Sequence, residues 1–320
     1  IRVNFDGNDR RRAFGLLGMT LGLAAIAGQV LGGALIHADL FGLGWRTIFL
    51  INIPVGVIAI VAARAIPESF APQKPLLDGR GVLLISTALA LLLVPLIEGP
   101  TQGWPAWTLC SLGAAAVLLV IFYRQQEQRR IAGLWPLVDM RLLAQRHVAL
   151  GVMLVLLVYS TSSSFFLCFA LLVQNGFGLD PLQAGLIFAP CSVGFVLASL
   201  AAPRLVARWG IRAIIGGALI YALFIAALIA QVAMAGAQLN PVTLIPVLVI
   251  VGAGQGAIMT PLLNLVLGYV DEAQSGMASG IISTVQQVGA ALGVAVVAML
   301  FNAALSDAGE KEAGVFGYVL

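Results

Sequence analysis

Enzymatic chemistry needs groups that take up a proton, attack a carbonyl or hold a metal, and in this sequence of 320 residues they are few and scattered. His37 and His147 stand far apart, and the 14 acidic residues, from Asp6 through Glu312, fall in polar loops or at the ends of apolar runs. Cys110, Cys168 and Cys191 each lie alone inside an apolar run, so no disulfide framework or metal site is implied. No phosphate-cradling motif, HExxH or Ser/His pairing occurs at useful spacing, which leaves catalysis, cofactors and metals without candidate residues. The informative groups are instead uncharged polar and aromatic residues within apolar stretches. Tyr159 and Phe166 bound the segment YSTSSSFF, Gln174 follows in the same region, Gln255, Met259 and Asn264 share VGAGQGAIMTPLLN, and Gln286 and Gln287 are adjacent. Such groups among apolar walls suit reversible binding of amphiphilic, aromatic small molecules, with Met and Phe adapting to several shapes. The competing reading is that each amide or hydroxyl only bonds a neighbouring helix.

The elements that position these residues follow from composition. A chain that is 60% hydrophobic and 10% charged, with a mean hydropathy of +1.02, lies outside the range of soluble globular domains. It reads as an all-α, polytopic membrane bundle, since a membrane barrel would show ten-residue alternating segments instead. Nine apolar runs reach the roughly 20 residues a bilayer core requires: Ala13 to Ile36, Thr47 to Ala63, Gly81 to Ile97, Ala106 to Tyr123, Val148 to Leu172, Ala184 to Ala202, Ala213 to Val232, Val242 to Gly268 and Met277 to Ala303. With the first segment inside, every Lys and Arg except Arg46 and Lys311 falls in an inside loop, and the alternation never breaks. This topology accounts for the net charge of +3 without a nucleic-acid partner. All five tryptophans lie in loops or at run ends, as interfacial anchors do. In the longest inside loop, Arg124 to His147, the stretch Val138 to Arg146 fits a short amphipathic helix on the membrane surface.

The first run carries Gly15, Gly18, Gly22, Gly28, Gly32 and Gly33. Each glycine inside a helix costs about 1 kcal/mol relative to Ala, so the cluster implies a gain where the side chains are missing. Spacing by four places Gly18 with Gly22, and Gly28 with Gly32, on one face, where two membrane helices can approach backbone to backbone. Gly15, Gly28 and Gly32 coincide with Gly276, Gly289 and Gly293 at an offset of 261 residues, consistent with two halves built as parallel repeats.

In sequence the first run resembles the antiporter signature of the major facilitator superfamily, with Gly15, Gly28, Gly32 and Gly33 in register. Ala24 replaces its second Gly, and Gln29 its Pro. GWRTIFLINIPVGVIAIV from Gly44, LVQNGFGLDPLQAGLIFAP from Leu172, PRLVARWGIR from Pro203 and SGMASGIISTVQQVGAALGVAV from Ser275 are similar to successive segments of the fourteen-spanning drug:proton antiporters. The resemblance implies a bundle of the major facilitator type, incomplete at both ends and covering spans five to thirteen. Residues 1–80 would be the last two spans of the N-terminal half, 81–130 an inserted pair, and 131–320 five spans of the C-terminal half. It implies proton-coupled export of drugs or amphiphiles by alternating access, in the inner, cytoplasmic membrane of a bacterium, with the lipid bilayer, a small-molecule substrate and protons as partners. A dedicated exporter of one metabolite or antibiotic, and an inactive remnant, are the alternatives. The chain starts without Met and ends as a new apolar stretch, GVFGYVL, begins, so it is expected to be an internal piece of a longer protein. The coupling acid is then expected upstream, since no run holds a carboxylate at its middle. The smooth face of the first run would let two halves rock against each other, with Gln29 at their interface. Arg204, Arg208 and Arg212 around Trp209-Gly210 fit a gating loop, although inside topology explains the same residues.

Overall fold

Long uncharged runs leave the backbone only its own carbonyls to bond in lipid, and the computed structural model is correspondingly helical. It describes residues 30–64, 78–236, 239–270 and 274–308, together with residues 16, 20, 23, 24, 27 and 28. Gly15 and Gln29 lie outside the described residues. Among those described there is no strand, and eight helical segments are long and apolar enough to cross a membrane. The protein is thus a multi-pass membrane protein.

Residues 30–38 form α1. After two tight turns come α2 (Thr47–Leu50) and α3 (Asn52–Ala63), then α4 (Gly79–Gln102), α5 (Ala106–Ile131), the short α6 (Met140–Ala144) and α7 (Arg146–Leu171), which ends in a wide π-type turn, Leu172–Gly176. α8 (Pro181–Trp209), α9 (Ile211–Ala235), α10 (Ile245–Gly268) and α11 (Ser275–Ala308) complete the described chain. Several helices run past the bounds expected from sequence, α4 to Gln102 and α8 to Trp209 among them, and two boundaries have a visible cause. α5 does not stop at Tyr123 but continues to Ile131, because Arg130 pairs with Glu127 one turn earlier and sustains a charged helical extension beyond the apolar run. The surface helix is shorter than Val138 to Arg146: Asp139 caps it by accepting from the Arg141 N–H, and extended Gln145 ends it. α8 begins with a full capping box, in which Asp180 and Gln183 each accept the other's backbone N–H.

The chain divides into two compact units, with divisions after residue 74, within α7 and within α10. In the first unit, residues 1–74 and 170–261, α8 packs on α9 and on the turn that leads into α10. In the second, residues 75–169 and 262–320, α4 and α5 form a hairpin and α4 also packs on α11. Next to α6 in this unit Leu142, Val148, Val270 and Ala278 make a buried cluster, and His147 stacks on Tyr269 with ring centroids 5.3 Å apart.

Candidate functional site

In the first unit the glycines of α10 determine how its neighbours approach. Gly252 and Gly256, four apart and on one face, stand against the carbonyls of Cys191 and Phe195 on α8, and Gly194 of α8 returns the contact against Val249. Gly254 points the other way, where a Cβ would lie 2.7 Å from the Tyr221 nitrogen of α9, and Gly217 of α9 faces Ala257. α10 runs as one helix through them and through Pro261, and they allow close approach on two faces. Polar rungs accompany the contact. The Thr260 hydroxyl donates to Ser199 Oγ at 3.1 Å, and Ser199 donates to the Gly256 carbonyl at 3.5 Å.

The second unit repeats the arrangement between α7 and α11. Gly289 and Gly293 abut the Leu156 and Ser160 carbonyls, and Ser164 Oγ donates to the Gly293 carbonyl at 3.0 Å. Beside them Gln286 Nε2 donates to Tyr159 Oη at 2.7 Å. These are two of the candidate binding residues, joined in a bond that also satisfies the helix–helix reading. The other candidates are dispersed. Gln255 is buried, Met259 half-buried, and Phe166, Gln174, Asn264 and Gln287 exposed, with Gln174 in the π-type turn after α7.

Of the described glycines in the first run, Gly33 meets α8: a Cβ there would lie 2.6 Å from the Pro181 carbonyl. Gly28 and Gly32 have nothing within 4 Å of where a Cβ would stand. The expected gating loop is helical except for Gly210: Arg204 and Arg208 lie in the last turns of α8, which continues past Ala202 to Trp209, and Arg212 in the first turn of α9. All three are exposed and make no ion pair with a described residue; the Arg208 guanidinium lies over the Trp209 ring.

Sequence reasoning missed a polar clamp where α4 begins and α5 ends. Asp78 caps α4, accepting the Gly81 N–H at 2.9 Å, and its carboxylate also accepts from Gln126 at 2.7 Å and Gln125 at 3.0 Å, with Arg129 Nε 3.4 Å away. Burial alone would push this carboxyl up; the bonds from Gly81, Gln126 and Gln125 and the charge of Arg129 together hold it below the usual carboxylate range. Gln126, also buried, accepts the Leu137 N–H at 2.6 Å and the Val138 N–H at 3.2 Å, which ties the loop before α6 to the hairpin. A signal was present in Asp78-Gly-Arg-Gly, an N-cap ahead of an apolar run. Its partners were hidden because Gln125 and Gln126 read as loop residues.

A profile described as Major Facilitator Superfamily matches residues 1–294. Over 303 residues the chain is 36% identical to a "Probable actinorhodin transporter" of Streptomyces coelicolor, covering 94% of this chain and 52% of that protein. It is 35% identical over 301 residues to "Drug efflux pump JefA" of Mycobacterium tuberculosis, covering 90% and 56%, and 27% identical over 311 residues to "Tetracenomycin C resistance and export protein" of Streptomyces glaucescens, covering 96% and 56%. The chain spans about half the length of the curated relatives it matches. Spanning helices joined through small residues agree with a profile match over most of the sequence, and the chain belongs to the Major Facilitator Superfamily.

Proposed function

We propose that the protein exports drugs or other amphiphilic small molecules across the cytoplasmic membrane of a bacterium, by alternating access and in exchange for protons. The observation that carries this reading is that relatives matched over nine-tenths of the chain are named for transport, efflux or export. The uncharged character of the Tyr159–Gln286 pair supports it, since an amide and a phenol among apolar walls bind amphiphiles without the desolvation cost of a fixed charge. The N-terminal pair of spans, the inserted α4–α5 pair and the remaining five spans would act as three segments of the transport machinery. The contact at Gly33 would lie where the halves move, and Arg204, Arg208 and Arg212 would close the inner side. Asp, Glu and His occur only near the ends of the described spans, so we assign proton uptake to residues elsewhere. A transporter of this kind carries its cargo unchanged and needs no catalytic group.

A second reading, a dedicated exporter of one aromatic metabolite, draws on the relatives named for actinorhodin and tetracenomycin C. Expression of the complete gene in cells stripped of their own pumps, with dye efflux followed by fluorescence, tests both. Export of several unrelated dyes that stops on addition of a protonophore is the expected result. Export of a single compound class would favour the dedicated exporter, and export unaffected by the protonophore would overturn proton coupling.

A further inference from the structure

The hydroxyls within α7 and α11 are of two kinds. Thr161 donates to the Leu157 carbonyl, Thr284 to the Gly280 carbonyl and Ser164 across to the Gly293 carbonyl, so these are spent on backbone. Tyr159 and Ser163 are not. Tyr159 Oη accepts from Gln286 Nε2 at 2.7 Å, but the Tyr159 proton, the Ser163 hydroxyl and Gln286 Oε1 bond no described residue. Gln286 thus spends a single N–H and leaves its carbonyl open, in a span where lipid supplies no replacement partner. Tyr159, Ser163 and Gln286 are half-buried rather than sealed, so a solute can reach them. An open donor therefore stands beside an open acceptor, joined through the bond between their own side chains.

Tyr159, Ser163 and Phe166 succeed one another at helical intervals and share a face of α7. Phe166 is exposed and stands about 10 Å along the axis from Tyr159 at a rise of about 1.5 Å per residue, the span of a fused polycyclic ring system. Residues 148–171 of α7 and 277–301 of α11 include no charged side chain. A cationic group would find no carboxylate on these stretches and an anionic one no guanidinium, so the polar group they match is neutral. One aromatic hydroxyl satisfies both open positions, donating its proton to Gln286 Oε1 while accepting the Tyr159 proton. We propose that Tyr159 and Gln286 select cargo that carries a neutral phenol on a fused aromatic ring system, with the rings lying past Ser163 toward Phe166. The proposal rests on the export reading and names the class of cargo this pair prefers.

The test is binding of hydroxypyrene and of its methyl ether, methoxypyrene, to the purified full-length protein in detergent, read by fluorescence anisotropy against protein-free micelles. The ether accepts a hydrogen bond but has no proton to donate. Hydroxypyrene binding about tenfold tighter than methoxypyrene is the expected result. Gln286→Leu, similar in volume, should erase the preference, whereas Tyr159→Phe should weaken both compounds alike. A pair that only joins two helices would leave the ratio of the two affinities unmoved. Equal affinities in the wild type, a preference that survives Q286L, affinities unchanged in Y159F, or no binding of either compound overturns the proposal. Failure of the export reading shows separately, as cells that export no dye although their purified protein still prefers the phenol.

Discussion

α10 in the first unit and α11 in the second are both rich in glycine, and they use it differently. α10 is gripped on two faces, with Gly252 and Gly256 toward α8 and Gly254 toward α9, and 44% of its spanning window is buried within the protein. α11 is gripped along one stretch, at Gly289 and Gly293, and opens at Gly276 and Gly280; 22% of its window is buried. Spacing by four therefore announces that a helix face is smooth, and the neighbour decides whether that face becomes a contact or a space. The contact stretches fix geometry, since backbone against backbone cannot yield, whereas the open stretch leaves room for an added side chain.

The difference can be broken by adding side chains. Gly252→Leu or Gly256→Leu drives a side chain into an α8 carbonyl and should cost about 3 kcal/mol or more, up to failure to fold. Gly280→Ala, placed in open space, should instead raise stability by up to about 1 kcal/mol through helix propensity. Thermal unfolding in detergent reads both, and equal effects would erase the distinction between the two helices.

The next effect concerns Asp78. Asp78→Ala removes a cap and one of the two acceptors of the buried Gln126 amide, leaving it Gln125 Oε1 at 2.7 Å, a loss of about 1–3 kcal/mol. Because the folded-state pKa is lowered, the stability Asp78 contributes is complete above its ordinary value of 3.8 and is lost as pH falls through the depressed folded value. Stability measured against pH should therefore show an acid limb in the wild type that is flatter in Asp78→Asn. The smallest effect is at the α7–α11 contact, where Tyr159→Phe removes one hydrogen bond between helices, worth about 0.5–1.5 kcal/mol. If Tyr159 also meets cargo, its loss should shift the half-saturating dye concentration while leaving the expressed amount unchanged; unaltered transport would restrict the pair to a structural role.

Hydropathy made the fold class and most span positions legible, because lipid admits few alternatives to a closed helix. It failed where charge and helix coexist. The last turns of α5 look like loop by composition, yet Glu127 with Arg130, and Gln126 reaching inward, keep them helical. The glycines of α10 were visible, but period alone does not say which of two neighbours each would face. The candidate binding residues were singled out for residue type. Whether an amide finds a helix or a solute depends on packing across helices far apart in sequence, as Gln286 and Tyr159 illustrate.

The clamp around Asp78 also bears on how the protein is made. The Gln126 carbonyl accepts from the Leu137 and Val138 amides, which leave the ribosome after both helices of the hairpin are complete. The end of the α4–α5 pair that holds Asp78 thus stays unfinished until the strap beyond it has been synthesised, and a ribosome stalled before that strap would leave a hairpin inserted but not locked.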